Sequence, residues 1–174
     1  DWRDATMELV FHSLYSTPFM DQFADAGATR QEHRISAFPQ IKEAIERAGH
    51  GGYAEAIVRI FTLVTRAATS LKRDRLEQSI RILTSRAPFN TMPLERRTQI
   101  IRDQTIIAEF AENEAMSTLP KLLIDDVDRI RAITLVYAVL GFRTMMDQAA
   151  IARFDEIQKV LLTYADGWYD VDFQ

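Results

Sequence analysis

The sequence contains no cysteine, which removes disulfide scaffolds, thiolate zinc sites and cysteine nucleophiles at once. That absence accords with a reducing compartment, and a cytoplasmic location is expected. Long apolar runs are also missing. The longest, Ala132 to Phe142, is roughly half of the ~20 residues that span a bilayer, and no signal-like start precedes the first helical pattern. No membrane is therefore expected. Nor is there an excess of basic charge: a formal net charge of −4 and a pI of about 5.4 argue against a partner whose phosphates need neutralising, so no nucleic acid is expected. Glycine and proline are scarce, at six and five residues, while Ala, Leu, Ile, Arg, Glu and Gln are plentiful. These residues lose least on entering a helix.

What is there repeats at helical spacing, and strand-type alternation is not seen. Trp2, Ala5, Leu9, Phe11, Leu14 and Tyr15 mark a first helix from Asp1 to about Ser16, which Thr17-Pro18 stops and restarts. A third helix is expected from Thr29 to Ala48, with Ile41 and Ile45 inward and Pro39 breaking or kinking it. Gly49-His50-Gly51-Gly52 is the most flexible stretch and the expected hinge or boundary. Beyond it, Ile57, Ile60, Phe61, Val64, Ala67 and Ala68 form a helical stripe that Thr69-Ser70 ends. Asp74, Leu76, Ile80 and Leu83 mark the next helix, which stops before Pro88. Pro93 is expected at the first position of a helix reaching Phe110. The stretch Glu112 to Leu123 is interrupted by Pro120. Ile130 to Phe142 is apolar nearly all round, which predicts a helix at the centre of the core. A last helix from Asp147 to Thr163 aligns Ala150, Phe154, Ile157 and Leu161. The expected fold is thus all-α, a bundle of seven to eight helices. Three regions are expected: an N-terminal helical segment over 1–52 that links to an upstream domain, a helical domain over 53–163, and an aromatic tail over 164–174. The start on Asp1 reads as an excised piece of a longer polypeptide.

One internal echo stands out. Ala56-Ile57 leads through an apolar helix to Leu76-Glu77-Gln78-Ser79-Ile80-Arg81-Ile82-Leu83, and Ala132-Ile133 leads through another to Phe154-Asp155-Glu156-Ile157-Gln158-Lys159-Val160-Leu161. Both are helix, polar turn, helix, so two pseudo-repeated hairpins are expected.

That pair of hairpins, joined by the Pro93 helix, resembles the TerB-like fold of tellurite-resistance proteins. Lys72-Arg73-Asp74-Arg75-Leu76-Glu77-Gln78-Ser79, Ala87-Pro88-Phe89, Ile101-Arg102-Asp103-Gln104 and Leu119-Pro120-Lys121-Leu122-Leu123 resemble the C-terminal part of the polyhydroxyalkanoate synthase-like family of long bacterial proteins. Trp2-Arg3-Asp4-Ala5 with Glu8-Leu9-Val10-Phe11 and Tyr15 fits the segment just upstream. The resemblance implies an α/β-hydrolase-like portion ahead of this region, where any acyl chemistry would sit, and hence an accessory role for this chain. No Gly-x-Ser-x-Gly elbow occurs in it. The resemblance further implies metal binding through acidic residues of the hairpin turns. At those places this chain has Thr69-Ser70 in the first turn and Arg143-Thr144 before Asp147 in the second.

The candidate metal residues on this reading are Asp74, Glu77, Asp147 and Asp155. Lys72, Arg73 and Arg75 are candidates for holding an anion at the turn before a helix N-terminus. They belong to a wider basic group with Arg59 and Arg66, which is read as a solvated face paired with Glu77 and other acids. Asp4, Glu8 and His12 share a helical face by their i, i+4, i+8 spacing and are read as solvated. Glu109, Glu112 and Glu114 lack the Glu-x-x-His partner of a di-metal site. Asp125, Asp126 and Asp128 lack the glycine and distal glutamate of a calcium loop, and helix capping accounts for them. His50 has no nucleophile near it in sequence, and no catalytic residue or cofactor is assigned. Trp168, Tyr169 and Phe173 are expected to dock on this domain or on a partner. The partner expected is the upstream domain of the same polypeptide or another protein. The leading reading is a non-catalytic helical interaction domain, and the alternative is a metal- or anion-binding regulatory domain of TerB type.

Overall fold

A computed structural model describes residues 39–141 and 146–162. The helix over Asp1–Ser16, the turn after Pro18, the first part of the Thr29–Ala48 helix and the aromatic tail lie outside the described residues. Within them the chain is all-helical: α1 (Pro39–Glu46), α2 (Tyr53–Ala67), α3 (Arg73–Thr84), a 3₁₀ turn (Phe89–Thr91), α4 (Leu94–Phe110), α5 (Glu112–Ser117), α6 (Leu119–Leu122), α7 (Asp126–Leu140) and α8 (Gln148–Leu162). Among the described residues no helix is long and apolar enough to cross a membrane.

Local chemistry sets most boundaries. Pro39 is the first described residue of α1, so the expected break or kink there falls at the edge of the described residues. Pro93 sits one residue earlier than expected, capping α4 from outside. The break before Pro120 falls at Thr118, and the proline lies in the first turn of the short α6. Asp125 caps α7 by accepting from the Val127 N–H at 2.7 Å, which is the role its sequence position implied. Gly141 ends α7 at φ 84°, in the left-handed region where a side chain is strained.

The core is organised around α2, in which every residue from Ala54 to Thr65 is buried. This helix packs against α4, α7 and α8, and α1 lies on α4. The expectation that the apolar run of α7 occupies the centre is therefore corrected. Ala132, Ile133, Val136, Val139 and Leu140 point inward, but Val127 and Ile130 are 62% and 54% exposed, and Thr134 and Ala138 are exposed too. The neighbouring helices close around α2, which leaves only the inner side of α7 covered. Tyr137 is half-buried rather than buried, with its ring stacked on Phe154 at a centroid distance of 5.5 Å.

Of the two expected hairpins, α7 and α8 pack on each other, whereas α3 packs chiefly on α7 rather than on α2. In addition, Ala44 and Ala48 belong to the same apolar cluster as α2, so the core crosses the Gly49–Gly52 stretch. Arg47 also pairs with Asp103 of α4 at 3.1 Å, and the Gly52 N–H is held at 2.9 Å by the Glu55 carboxylate reaching back from α2.

Four arginines fasten helix ends to their neighbours. Arg59 donates to Ala48 O at 2.8 Å, Arg75 to Leu140 O at 2.7 Å, Arg97 to Phe89 O at 3.2 Å, and Arg129 to Leu123 O at 2.7 Å and Leu161 O at 3.1 Å. Ala48, Leu123, Leu140 and Leu161 lie at or just past helix C-terminal ends, whose last carbonyls lack intrahelical partners and form a negative pole, so a guanidinium there satisfies two requirements together, whereas Phe89 opens the 3₁₀ turn and also accepts from the Met92 N–H.

Candidate functional site

The connections between α2 and α3 and between α7 and α8 meet. Asp147 Oδ2 accepts from the Thr69 N–H at 2.7 Å, the Ser70 N–H at 2.9 Å, Ser70 Oγ at 3.0 Å and Thr69 Oγ1 at 3.1 Å. Its Oδ1 accepts from the Ala150 N–H at 2.9 Å, which caps the start of α8. The Ala150 amide first, and then the amides and hydroxyl of the opposite turn, hold this carboxyl well below the ordinary carboxylate range. A cleft of about 320 Å³ runs beside this contact, lined by Val64, Leu71, Leu140 and Met146, with Lys72 and Arg75 among its polar residues.

The residues singled out from sequence are distributed as follows. Asp147 is engaged by five donors from the protein itself. Glu77 pairs with Arg73 at 3.0 Å, and Asp74 is exposed on the first turn of α3. Asp155 lies mid-helix on α8. Among the described residues no three His, Asp or Glu side chains come together as a metal-holding group. Of the anion candidates, Arg75 is tied to the C-terminal carbonyl of α7, Arg73 to Glu77, and Lys72 is exposed beside the cleft. Glu109 pairs with Arg66 at 3.3 Å, and burial pushes its carboxyl up against the opposing pull of that arginine. Glu112 contacts Arg153, Asp126 pairs with Arg129 at 3.3 Å, and Asp128 pairs with Arg131 at 3.0 Å. His50 is exposed between the glycines. Asp4, Glu8, His12, Trp168, Tyr169 and Phe173 lie outside the described residues.

Arg59 is the principal correction to the sequence reading. It was placed on a solvated face, yet it is 0% exposed. Its guanidinium donates to Gln104 Oε1 at 2.8 Å, Thr118 Oγ1 at 2.7 Å and the carbonyls of Ala48 and Ala115. Burial lowers its pKa to about 10, with Glu55 opposing. The sequence carries no signal for this: Arg59 shares a helical face with Glu55, Thr62 and Arg66, which reads as the polar side of an amphipathic helix, and it is the packing of neighbouring segments over that face that buries it.

The second surface was not anticipated. On the outer side of α7, Ile130, Thr134, Leu135 and Ala138 form the floor of a shallow groove of about 550 Å³, walled by Tyr53 of α2 and by Arg86 and Ala87 after α3. Arg131 stands at its edge with its guanidinium 5.1 Å from the Tyr53 ring centre. Burial raises the Tyr53 phenol pKa, and the neighbouring Arg131 and Asp128 charges act in opposite directions on it. The apolar surface continues beyond the groove through Val127 to Ile124, which is 86% exposed. A row of outward apolar residues on one helix, bordered by two arginines, is chemically suited to an apolar segment that carries acidic groups.

No protein family, curated protein or solved structure matches the chain. The site must therefore be argued from its own chemistry.

Proposed function

We propose that this chain is a non-catalytic helical interaction domain that receives an acidic, aromatic-bearing segment in the groove between Tyr53, Arg86 and α7. The observation that carries this reading is the outward apolar face of α7. Val127 and Ile130 remain exposed on a helix whose other side is fully engaged in the core. Leaving such side chains in water forgoes roughly 1.5–3 kcal/mol each that burial would return, and the flanking Arg86 and Arg131 select the sign of what covers them. The motif resemblance supports a further step in the proposal, that the domain is accessory to a polyhydroxyalkanoate synthase-like protein and docks there on another part of the same polypeptide. The alternative of a TerB-type regulatory site draws on Lys72 and Arg75 beside the cleft, but its best-placed carboxylate, Asp147, is already saturated by protein donors.

The test is selection of displayed random dodecapeptides against the chain stopped after Leu162. Acidic, aromatic sequences that lose binding to the Ile130→Asp variant are the expected outcome. Absence of binders, or binders indifferent to Ile130→Asp and Arg86→Glu, would overturn the reading.

A further inference from the structure

We infer that the segment the groove receives is this chain's own residues 163–174, so that the docking face is covered in cis and must be vacated before another segment binds. The inference rests on the groove reading above and deepens it by naming the occupant.

Three observations converge on that segment. The first is composition: residues 163–174 carry Asp166, Asp170 and Asp172, no basic residue, and Tyr164, Trp168, Tyr169, Val171 and Phe173. This complements an apolar floor edged by Arg86 and by Arg131, the second of which is paired with Asp128. The second is periodicity. From Tyr169 onward apolar and acidic residues alternate as Tyr169, Asp170, Val171, Asp172, Phe173, and successive side chains of an extended segment point to opposite sides. One side can lie on Ile130, Leu135 and Ala138 while the aspartates meet the arginines at the rim.

The third is reach. The described part of α8 runs to Leu162, and the carbonyl of Leu161 is bound by Arg129 of α7. The last described residues of the chain thus lie beside the N-terminal end of α7. From Arg129 to Ala138 is about 14 Å along a helix at 1.5 Å per residue, whereas twelve extended residues cover up to about 40 Å. Ile124, Val127 and Ile130 are exposed along α7 between that end and the groove.

Trp2 and Trp168 are the two tryptophans of the chain, so Trp2→Phe makes Trp168 a single reporter in the full 174-residue protein. Its emission should be blue-shifted relative to the free peptide of residues 163–174. It should move to the peptide's value in the Ile130→Asp and Arg86→Glu/Arg131→Glu variants, all of which alter surface positions. In the second arm, that synthetic peptide is titrated into the chain stopped after Leu162. Binding should weaken at least about tenfold with Ile130→Asp, weaken with added salt, and be at least about tenfold weaker to the full chain, where the tethered copy competes. A Trp168 emission equal to that of the free peptide, or a peptide that does not bind the shortened chain, overturns the inference. So does groove protection that depends on residues 1–38 or on protein concentration, since the occupant is then another segment or a second copy. If selected dodecapeptides bind the shortened and full chains equally well, the groove reading stands and the covering in cis falls. If no peptide binds either, both fall.

Discussion

Arg59 Nε donates to Gln104 Oε1 across 2.8 Å at a point where the arginine is wholly shielded from water. Neutral acceptors of α5 and its C-cap and of the chain just past α1 meet it on the remaining sides. Among the described residues no carboxylate is paired with it. A buried cation held in this way joins four parts of the bundle, namely α2, which carries it, α4, α5 and the end of α1.

Removal of one partner should consequently cost more than the bond between them. Arg59→Ala leaves the Ala48 carbonyl, Gln104 and Thr118 without their donor and should destabilise the fold by about 3–5 kcal/mol. Arg59→Lys should recover little of it, since an ammonium cannot reproduce the planar fork. Urea unfolding of Arg59→Ala, Gln104→Ala and the double variant should give a coupling of at least about 0.5 kcal/mol. Additive effects would show that the two side chains act independently.

The displacement of α7 from the centre of the core predicts unequal responses to similar deletions. Ile57→Ala, at a fully buried position of α2, and Leu140→Ala, on the inner side of α7, should each cost about 2–5 kcal/mol. Ile130→Ala, on the outer side of the same helix, should stay within about 0.5 kcal/mol of the parent once the chain is stopped after Leu162. Equal losses at Leu140 and Ile130 would restore α7 to the centre.

For the contact between turns, the sign of the pH dependence follows from the lowered pKa of Asp147. A carboxylate depressed in the folded state adds stability that is fully present above its ordinary value of about 3.9 and is lost as pH falls through the folded-state value. The parent should therefore exceed Asp147→Asn in stability at pH 6, and the gap should narrow on acidification below about pH 4. Asp147→Ala, which also removes the cap on Ala150, should cost about 1–2 kcal/mol at neutral pH. Thermal unfolding across pH 2–7 checks both statements, and a gap that widens in acid would contradict the assigned sign.

The same saturation of Asp147 bears on metals. Lys72 and Arg73 stand near the first turn, Glu77 is paired with Arg73, and the oxygens of Asp147 are occupied by amides and hydroxyls. Calcium and magnesium should bind no tighter than about millimolar, as read by calorimetric titration. Micromolar affinity that disappears in Asp74, Glu77, Asp147 or Asp155 variants would return the TerB-type reading to first place.

The helical class, the proline and Asp125 boundaries and the inward stripe of α8 followed from the sequence, because local propensity, capping chemistry and a period of 3.6 residues act within a few positions of chain. Tertiary structure alone decided that α2 rather than α7 takes the centre, since periodicity reports an angle around one axis and carries nothing about which neighbours surround it. It also decided the fate of Arg59, whose acceptors lie up to 59 residues away in sequence, and it brought Thr69 and Ser70 to Asp147 across a separation of 77 and 78 residues. The groove belongs to this second group: Tyr53, Arg86 and Ile130 come from three separate stretches of chain, and packing around α2 is what places them on one surface.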